Sequence, residues 1–150
     1  MVTNFSWVIP SKLAGCSLPH SERDIQWLSS QGIRNLVSLT RPDHEIGSLC
    51  QDAGITWMPY YIPDFSVPQD GCGFDHLVRT IVNEVEKEHA CCVHCHAGIG
   101  RTGLLLACVV GTLFGVDGAS AIATIKKMRP AIDTDEQIGF VSSYLRCYEN

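Results

Sequence analysis

A short apolar run, a glycine-bearing turn and a longer apolar run follow one another directly in the second half of this chain. Residues 90–93 read Ala-Cys-Cys-Val, which is typical of a buried strand. Residues 104–110 contain no polar side chain and predict a buried helix. The turn between them carries a thiol, two glycines, a guanidinium and a hydroxyl: Cys95, Gly98, Gly100, Arg101 and Thr102.

A turn of this kind, between a strand and a helix, can hold an oxyanion. Its successive backbone N–H groups point inward, and the N-terminus of the following helix adds positive potential. Gly98 and Gly100 are predicted to supply the positive φ that the turn needs. Arg101 offers a bidentate fork for two phosphate oxygens. The residues predicted to bind a phosphate group are therefore His96, Ala97, Gly98, Ile99, Gly100 and Arg101.

Cys95 lies at the floor of this predicted anion site. Positive surroundings favour the thiolate of a cysteine, which is its nucleophilic form. Thr102 can donate its hydroxyl to that thiolate and can also serve as a residue of the helix start, and we expect both roles. A nucleophile at the base of a phosphate-sized turn predicts phosphoryl transfer through a covalent cysteine intermediate.

Two other interpretations of this segment are weaker. A zinc site is suggested by the crowding of cysteine and histidine, but alternate residues of a strand face opposite ways, so Cys92 and His94 cannot converge with Cys91. No second ligand pair at suitable spacing occurs elsewhere. The turn could also merely connect strand and helix around an inert Cys95, but Arg101 at the start of an apolar helix would then lack a partner. We predict no metal and no cofactor.

The order of the apolar and polar runs predicts an α/β chain in which strands alternate with helices. Two short edge strands are predicted at 7–9 and 12–14, and Pro59 places the strand at 55–60 at an edge or end of the sheet. Ser21 opens a helix that ends near Gly32, through a variant capping box with Asp24. The other predicted strands are 34–39 and 90–94, and the other predicted helices are a short one around 46–49, then 74–88, 102–114, about 118–128 and about 135–148.

Residues 94–102 contain the pattern His-Cys-x-x-Gly-x-x-Arg-Thr. This pattern resembles the signature loop of the cysteine-dependent protein tyrosine phosphatase superfamily. Ile62-Pro63-Asp64-Phe65 resembles the segment that carries the general acid in the dual-specificity branch, and Asp64 precedes Cys95 by 31 residues. Segments at 4–8, 36–40 and 129–130 resemble the small atypical members of the VHZ-like type.

The resemblance covers nearly the whole chain and implies one catalytic domain over residues 1–150. Its fold would be a three-layer α/β sandwich with a central, largely parallel sheet flanked by helices. Cys95 would be the nucleophile, Arg101 would bind and stabilise the phosphoryl group, and Asp64 would be the general acid. His94 is expected to orient the turn by hydrogen bonding, because it faces away from the substrate.

Two residues near the C-terminus are further candidates for the site. Gln137 stands where the superfamily often keeps a glutamine that positions the hydrolytic water. Thr134 and Gln137 also form a good capping box, so Gln137 could simply close the start of a helix, and both interpretations stay open. Asp133 could present a second carboxylate to the site.

The expected substrates are phosphorylated proteins, with phosphotyrosine and phosphoserine or phosphothreonine both able to enter. The turn lacks the lysines of phosphoinositide phosphatases and the Thr-His pair and asparagine of the RNA-triphosphatase branch. A phosphatase for such non-protein esters, and a phosphoprotein-binding module without turnover, are the alternatives. Intact Cys95, Arg101 and Asp64 argue against the binding module.

The composition of the chain limits which binding partners and which cellular location are expected. A net charge of −5 gives no general attraction to nucleic acid or to an anionic membrane. Eight cysteines without paired spacing or a secretory leader predict a reduced, intracellular protein, placed in the cytoplasm with the nucleus also open. The apolar run 104–114 is shorter than the roughly 20 residues that span a bilayer. We expect a monomer.

Overall fold

The computed structural model describes residues 2–147, over which five strands and six helices form. The strands are β1 (Ser6–Ile9), β2 (Leu13–Cys16), β3 (Asn35–Ser38), β4 (Thr56–Pro59) and β5 (Cys91–His94). The helices are α1 (Glu22–Ser30), α2 (His44–Asp52), α3 (Gly71–Glu86), α4 (Gly100–Phe114), α5 (Gly118–Met128) and α6 (Asp135–Cys147).

The five strands form one sheet in the order β1-β2-β5-β3-β4. Only β1 runs antiparallel to its neighbour, and the other three pairings are parallel. Helices α1 and α2 pack on one face of the sheet, and the four later helices pack on the other. The predicted three-layer α/β sandwich with a largely parallel sheet is confirmed.

The prediction that β2 is an edge strand is wrong. β2 lies inside the sheet, between β1 and β5, and all four of its residues are buried. A run of only four residues shows too little alternation to distinguish an edge from the interior, and its parallel partner β5 lies far away in sequence. The edge position of β4 is confirmed, and Pro59 is its last residue.

Several helices begin earlier than the apolar pattern predicts. α2 extends over nine residues because the Asp43 side chain accepts from the Glu45 N–H and caps the first turn. The apolar stripe of α3 starts at Phe74, but the helix itself begins at Gly71. Ser21 caps α1 as predicted, with the Asp24 N–H donating to Ser21 Oγ, while the Asp24 carboxylate accepts from the His20 N–H. The predicted end of the last helix near residue 148 lies outside the described residues.

Helix α4 is buried on every side through its first twelve residues, Gly100–Gly111. It packs against α3, α5, α6 and the sheet, so the residues at its N-terminus are held firmly at the carboxyl edge of β5. It ends at Gly115, whose φ of 64° is the left-handed conformation common at helix ends. No single helix within residues 2–147 is long and apolar enough to cross a membrane; α4 and α5 together reach that length and composition, but they meet at 117°.

Candidate active site

The loop between β5 and α4, together with the first two residues of α4, forms a concave turn over residues 95–101 that we call the cradle. β5 is the central strand and is paired on both sides, so two neighbouring strands fix the start of the cradle. Cys95 at its base is only 3% exposed. The Thr102 hydroxyl donates to Cys95 Sγ over 3.1 Å. The structure thus brings together the predicted nucleophile and its predicted hydrogen-bond donor.

The backbone carbonyls of cradle residues 95–99 each accept a hydrogen bond from a group outside the cradle. The bonds to residues 95–98 come from a side chain or backbone outside the cradle, and Ile99 accepts from α4 and from the segment before α6. The pairs are His94 Nδ1 to Cys95 O (3.0 Å), Leu18 N to His96 O (2.9 Å), Asn4 Nδ2 to Ala97 O (3.0 Å), Arg129 Nη2 to Gly98 O (2.6 Å), and Gly103 N and Ile132 N to Ile99 O (2.9 and 3.1 Å).

The backbone N–H groups of the cradle have the opposite arrangement. Those of residues 96–101 donate to no acceptor within the described part of the chain. Since buried or constrained N–H groups normally have partners, a row of free N–H groups held in place by bound carbonyls is prepared for an external anion. The start of α4 adds the positive end of a buried helix to the same place.

The two glycines of the cradle serve different purposes. Gly98 has a φ of 78°, as the sequence predicts, and a Cβ there would overlap the Cys16 carbonyl and come within 2.9 Å of the Ser17 nitrogen. Gly100 does not have a positive φ, so that part of the prediction is wrong. It is required for another reason: a Cβ at Gly100 would overlap the carboxylate of Asp133.

Gly98→Ala should impair the cradle more than it impairs folding. Gly54 is the matched control, because its φ of 75° is nearly the same and open space surrounds it. Both substitutions should cost about 1–2 kcal/mol of backbone strain. Only Gly98→Ala must also displace the cradle from Cys16, which should lower kcat/KM by roughly 10²-fold. Denaturant unfolding and phosphatase assays of both variants check this; equal activities would contradict it.

Arg101 and Asp64 meet at the rim of the cradle. Arg101 is 5% exposed, and its Nη1 donates to Ile62 O over 2.8 Å. Its Nη2 lies 3.5 Å from Asp64 Oδ1, while the Nε–H has no acceptor within residues 2–147. The Asp64 side chain is 56% exposed, and Oδ1 also accepts from the Phe65 N–H. The loop after β4 therefore places the predicted acid beside the predicted phosphate-binding arginine.

His94 belongs to a buried chain of hydrogen bonds behind the cradle. The Trp57 indole donates to Ser38 Oγ (2.8 Å), and Ser38 Oγ lies 2.6 Å from His94 Nε2. His94 Nδ1 must carry a proton, because its partner Cys95 O can only accept. Nε2 is then the acceptor of the Ser38 hydroxyl. His94 thus faces away from the cradle and fixes its first carbonyl, which is the arrangement that the predicted orienting role requires.

Burial lowers the pKa of His94 to about 4, with a smaller contribution from the charge of Arg101. The unfolded chain binds a proton near pH 6.5 and the folded protein does not, so stability is complete above pH 6.5 and falls as the pH drops toward 4. The loss should reach roughly 3 kcal/mol.

Denaturant unfolding at several pH values checks this expectation. His94→Asn keeps an N–H at the δ position but cannot titrate, so it should flatten the dependence of stability on pH between 6.5 and 4. His44→Asn, at an exposed position at the start of α2, is the matched control and should leave that dependence unchanged. An unaltered pH dependence in His94→Asn would contradict the assignment of the lowered pKa to this residue.

Gln137 is fully buried and does form the capping box. Its Oε1 accepts from Asp133 N (2.9 Å) and Thr134 N (3.3 Å), and its own N–H donates to Thr134 Oγ1 (3.1 Å). Its Nε2 donates to Ser66 O, which ties the start of α6 to the loop that carries the predicted acid. Asp133 and Gln137 both lie against Gly100, so the structure brings both residues to the cradle.

Two residues that hold the cradle from outside are not predicted from the sequence. Arg129 is 4% exposed and donates to Gly15 O (2.5 Å) as well as to Gly98 O, and burial lowers the pKa of its guanidinium. Asn4, with a φ of 54°, reaches Ala97 O from the N-terminal segment. In the sequence, both residues stand out only by lying in segments that resemble the family. No local pattern indicates the contact of Arg129, because its partner Gly15 lies 114 residues away.

The cysteines of the crowded segment do not converge. Cys91 lies in the core on the α3–α6 side of the sheet and Cys92 in the core on the α1–α2 side, as strand alternation predicts. All eight cysteines are free thiols. Within residues 2–147 no three side chains of His, Cys, Asp or Glu cluster in a way that could hold a metal ion.

Comparison with known proteins assigns the family. A family model described as PTP-SAK, a Swiss Army Knife protein DSP-PTPase phosphatase domain, matches residues 2–146. The chain belongs to this family. Membership in the superfamily of cysteine-based dual-specificity and tyrosine phosphatases, which the pattern at 94–102 indicates, is thereby confirmed.

The curated relatives are much longer than this chain. Dual specificity protein phosphatase CDC14A of Mus musculus is 30% identical over 141 residues, which cover 85% of this chain and 22% of that protein. Protein tyrosine phosphatase domain-containing protein 1 of Mus musculus is 30% identical over 152 residues, which cover 89% and 20%. This chain therefore spans about a fifth of the length of these relatives.

Solved structures match over nearly the full length. Tk-PTP in its active form superimposes with a TM-score of 0.85 at 21% identity, covering 97% of this chain and 99% of that one. Kinase associated phosphatase with its catalytic-site cysteine replaced by serine gives a TM-score of 0.84 at 22% identity, covering 98% and 96%. At this identity the likeness establishes the shared fold.

Proposed function

We propose that this chain is a protein phosphatase that hydrolyses phosphotyrosine and also phosphoserine and phosphothreonine monoesters through a cysteinyl-phosphate intermediate. The observation that carries the proposal is the cradle itself, with outward carbonyls bound, inward N–H groups free and a thiol at its base. A tetrahedral oxyanion such as a phosphate monoester can accept hydrogen bonds from a row of N–H donors of this kind.

In the first step the Cys95 thiolate attacks phosphorus in line with the ester oxygen. The S–P bond forms as the P–O bond breaks, and Asp64 gives its proton to the departing alkoxide or phenoxide. The free N–H groups of residues 96–101 and the free Nε–H of Arg101 stabilise charge on the three equatorial oxygens. No electrons are exchanged with an outside donor, and the step needs no metal.

In the second step a water molecule attacks phosphorus and the S–P bond breaks. Asp64 takes the proton of the water, and inorganic phosphate leaves. The Thr102 hydroxyl, already 3.1 Å from Cys95 Sγ, donates to the sulfur as negative charge returns to it. This contact makes the thiolate a better leaving group, and it accounts for a hydroxyl at this position beyond its place in the helix.

Gln137 and Asp133 are proposed to assist the second step. The amide of Gln137 has two N–H donors, and only one is used on Ser66 O, so the other is available for the attacking water. Asp133 lies against Gly100 on the same side and is proposed as a second carboxylate facing that water. Neither proposed role conflicts with the capping box, which uses the other groups of Gln137.

Protein substrates are proposed because the rim of the cradle is shallow and open. His96 and Ala97 are exposed, and two aromatic side chains beside Asp64 face solvent, with Tyr61 40% and Phe65 64% exposed. The relatives named above are a dual specificity protein phosphatase and a protein tyrosine phosphatase domain-containing protein. We further propose that the chain is of the VHZ-like type and acts as a monomer in the cytoplasm or nucleus.

The test is phosphate release from peptides that carry phosphotyrosine, phosphoserine or phosphothreonine in the same sequence, with EDTA present. A phosphoinositide and a 5′-phosphorylated RNA are assayed in parallel. We expect turnover of the peptides and little of the lipid or the RNA. Turnover of the lipid or the RNA alone would overturn the protein substrate, and tight peptide binding without release would indicate a binding module.

A further inference from the structure

A cleft of about 350 Å³ opens beside the cradle and is continuous with it. Its lining includes three residues of the proposed catalytic site, Asp64, His96 and Arg101. The rest of the lining, which we call the far end, consists of Leu18, Thr40, Arg41, Asp43 and Tyr61. A single molecule can therefore place one group in the cradle and a second group at the far end.

Arg41 is the cation at the far end of this cleft. Its guanidinium carbon lies 5.2 Å from the centroid of the Tyr61 ring, within the range of a cation–π contact. Arg41 makes no hydrogen bond or salt bridge within residues 2–147. When the plane of a guanidinium stacks on an aromatic ring, its N–H groups point outward in that plane. They stay free to donate to a planar or tetrahedral anion.

The acidic groups of the cleft are engaged elsewhere. Asp43 Oδ1 accepts from the Glu45 N–H at the beginning of α2. Asp64 Oδ1 accepts from the Phe65 N–H and lies 3.5 Å from Arg101. Neither acid is paired with Arg41, so the positive charge at this end of the cleft remains available to a ligand.

We infer that Arg41, oriented on Tyr61, is a specificity residue that binds a second anionic group of the phosphoprotein substrate, beside the phosphoryl group held in the cradle. The inference rests on the proposed function. The group recognised is an oxyanion that can accept two parallel N–H bonds, supplied by an aspartate or glutamate side chain or by a second phosphate. The substrate class is thus an acidic or doubly phosphorylated stretch of protein.

The test uses pairs of phosphotyrosine peptides that differ at one neighbouring position. One pair carries glutamate or glutamine there, and a second pair carries phosphoserine or serine, so that the two sources of the anion are separated. The quantity compared is the ratio of kcat/KM within each pair. For the native protein at least one ratio should be about fivefold in favour of the anion, falling as salt is added.

Arg41→Ala should bring that ratio close to one, and Arg41→Glu should invert it. Tyr61→Leu removes the ring beneath the guanidinium and should lower the ratio in part. Arg146→Ala is the matched control, because it removes the same charge from the exposed end of α6 and should leave the ratio at its native value. Circular dichroism and thermal unfolding verify that each variant is folded.

The outcomes separate this inference from the proposed function. If the native protein hydrolyses the peptides but shows no preference, or if Arg41→Ala keeps the native ratio, the inference is overturned and the proposed function stands. If the native protein hydrolyses para-nitrophenyl phosphate but none of the peptides, the protein substrate fails and the inference falls with it. A preference in only one pair supports the inference and identifies the source of the anion.

Discussion

Cys95→Ser should abolish turnover while leaving the cradle able to bind its substrate. A serine hydroxyl is not ionised at neutral pH and is a far poorer nucleophile than a thiolate, so no covalent intermediate forms. The N–H groups of the cradle and the hydrogen bonds that hold its carbonyls do not involve the sulfur. A phosphotyrosine peptide should therefore still bind, measured by calorimetry, although no phosphate is released.

The native protein should in contrast carry a phosphoryl group on the Cys95 thiol when the reaction is quenched with acid. Mass spectrometry should find the added phosphoryl group on the peptide that contains Cys95. Cys72→Ser, at an exposed thiol on α3, is the matched control and should retain native turnover. Retention of activity by Cys95→Ser within about tenfold of the native rate would contradict the assignment of the nucleophile.

The features that the sequence predicts well are those that depend on neighbouring residues. Cys95, Arg101 and Thr102 lie within eight positions of one another, between a strand and a helix whose apolar runs are unambiguous. Once those two elements form, the turn between them has few conformations available. The contact of Thr102 with Cys95, and the positive φ of Gly98, follow from that local geometry.

The features that the sequence does not predict depend on chain segments that meet only in the folded protein. Arg129 joins Gly15 of β2 to Gly98 of the cradle, and Asn4 approaches the cradle from the N-terminal segment. No pattern of spacing records such contacts. Gly100 belongs to the same class, since its lack of a side chain is explained only by the position of Asp133.

The interior position of β2 shows the same limit at the level of the fold. Cys16 at the end of β2 provides the carbonyl against which Gly98 packs, so this strand helps to shape the cradle. A strand of only four residues gives no signal of that role in the sequence. The hydrogen-bonding chain from Trp57 through Ser38 to His94 likewise crosses three parallel strands, and the order of those strands cannot be read from the order of the chain.

Asp64→Asn should lower kcat by roughly 10²–10⁴ for a phosphotyrosine or phosphoserine peptide, since an amide cannot give a proton to the leaving oxygen. The loss should be greatest for phosphoserine, whose alkoxide is the more basic leaving group, and smallest for an activated aryl phosphate.

The same substitution also removes a charge that faces Arg101. A loss of activity therefore has two explanations, which the kinetic constants distinguish. If Asp64 mainly kept Arg101 in position, Asp64→Asn would raise KM for every substrate alike. If Asp64 is the acid, kcat falls most for the substrate with the most basic leaving group. Asp52→Asn, at an exposed carboxylate at the end of α2, should change neither quantity. Because Asp64 Oδ1 accepts from the Phe65 N–H as well as facing Arg101, its other oxygen is the one free to carry the proton toward the substrate.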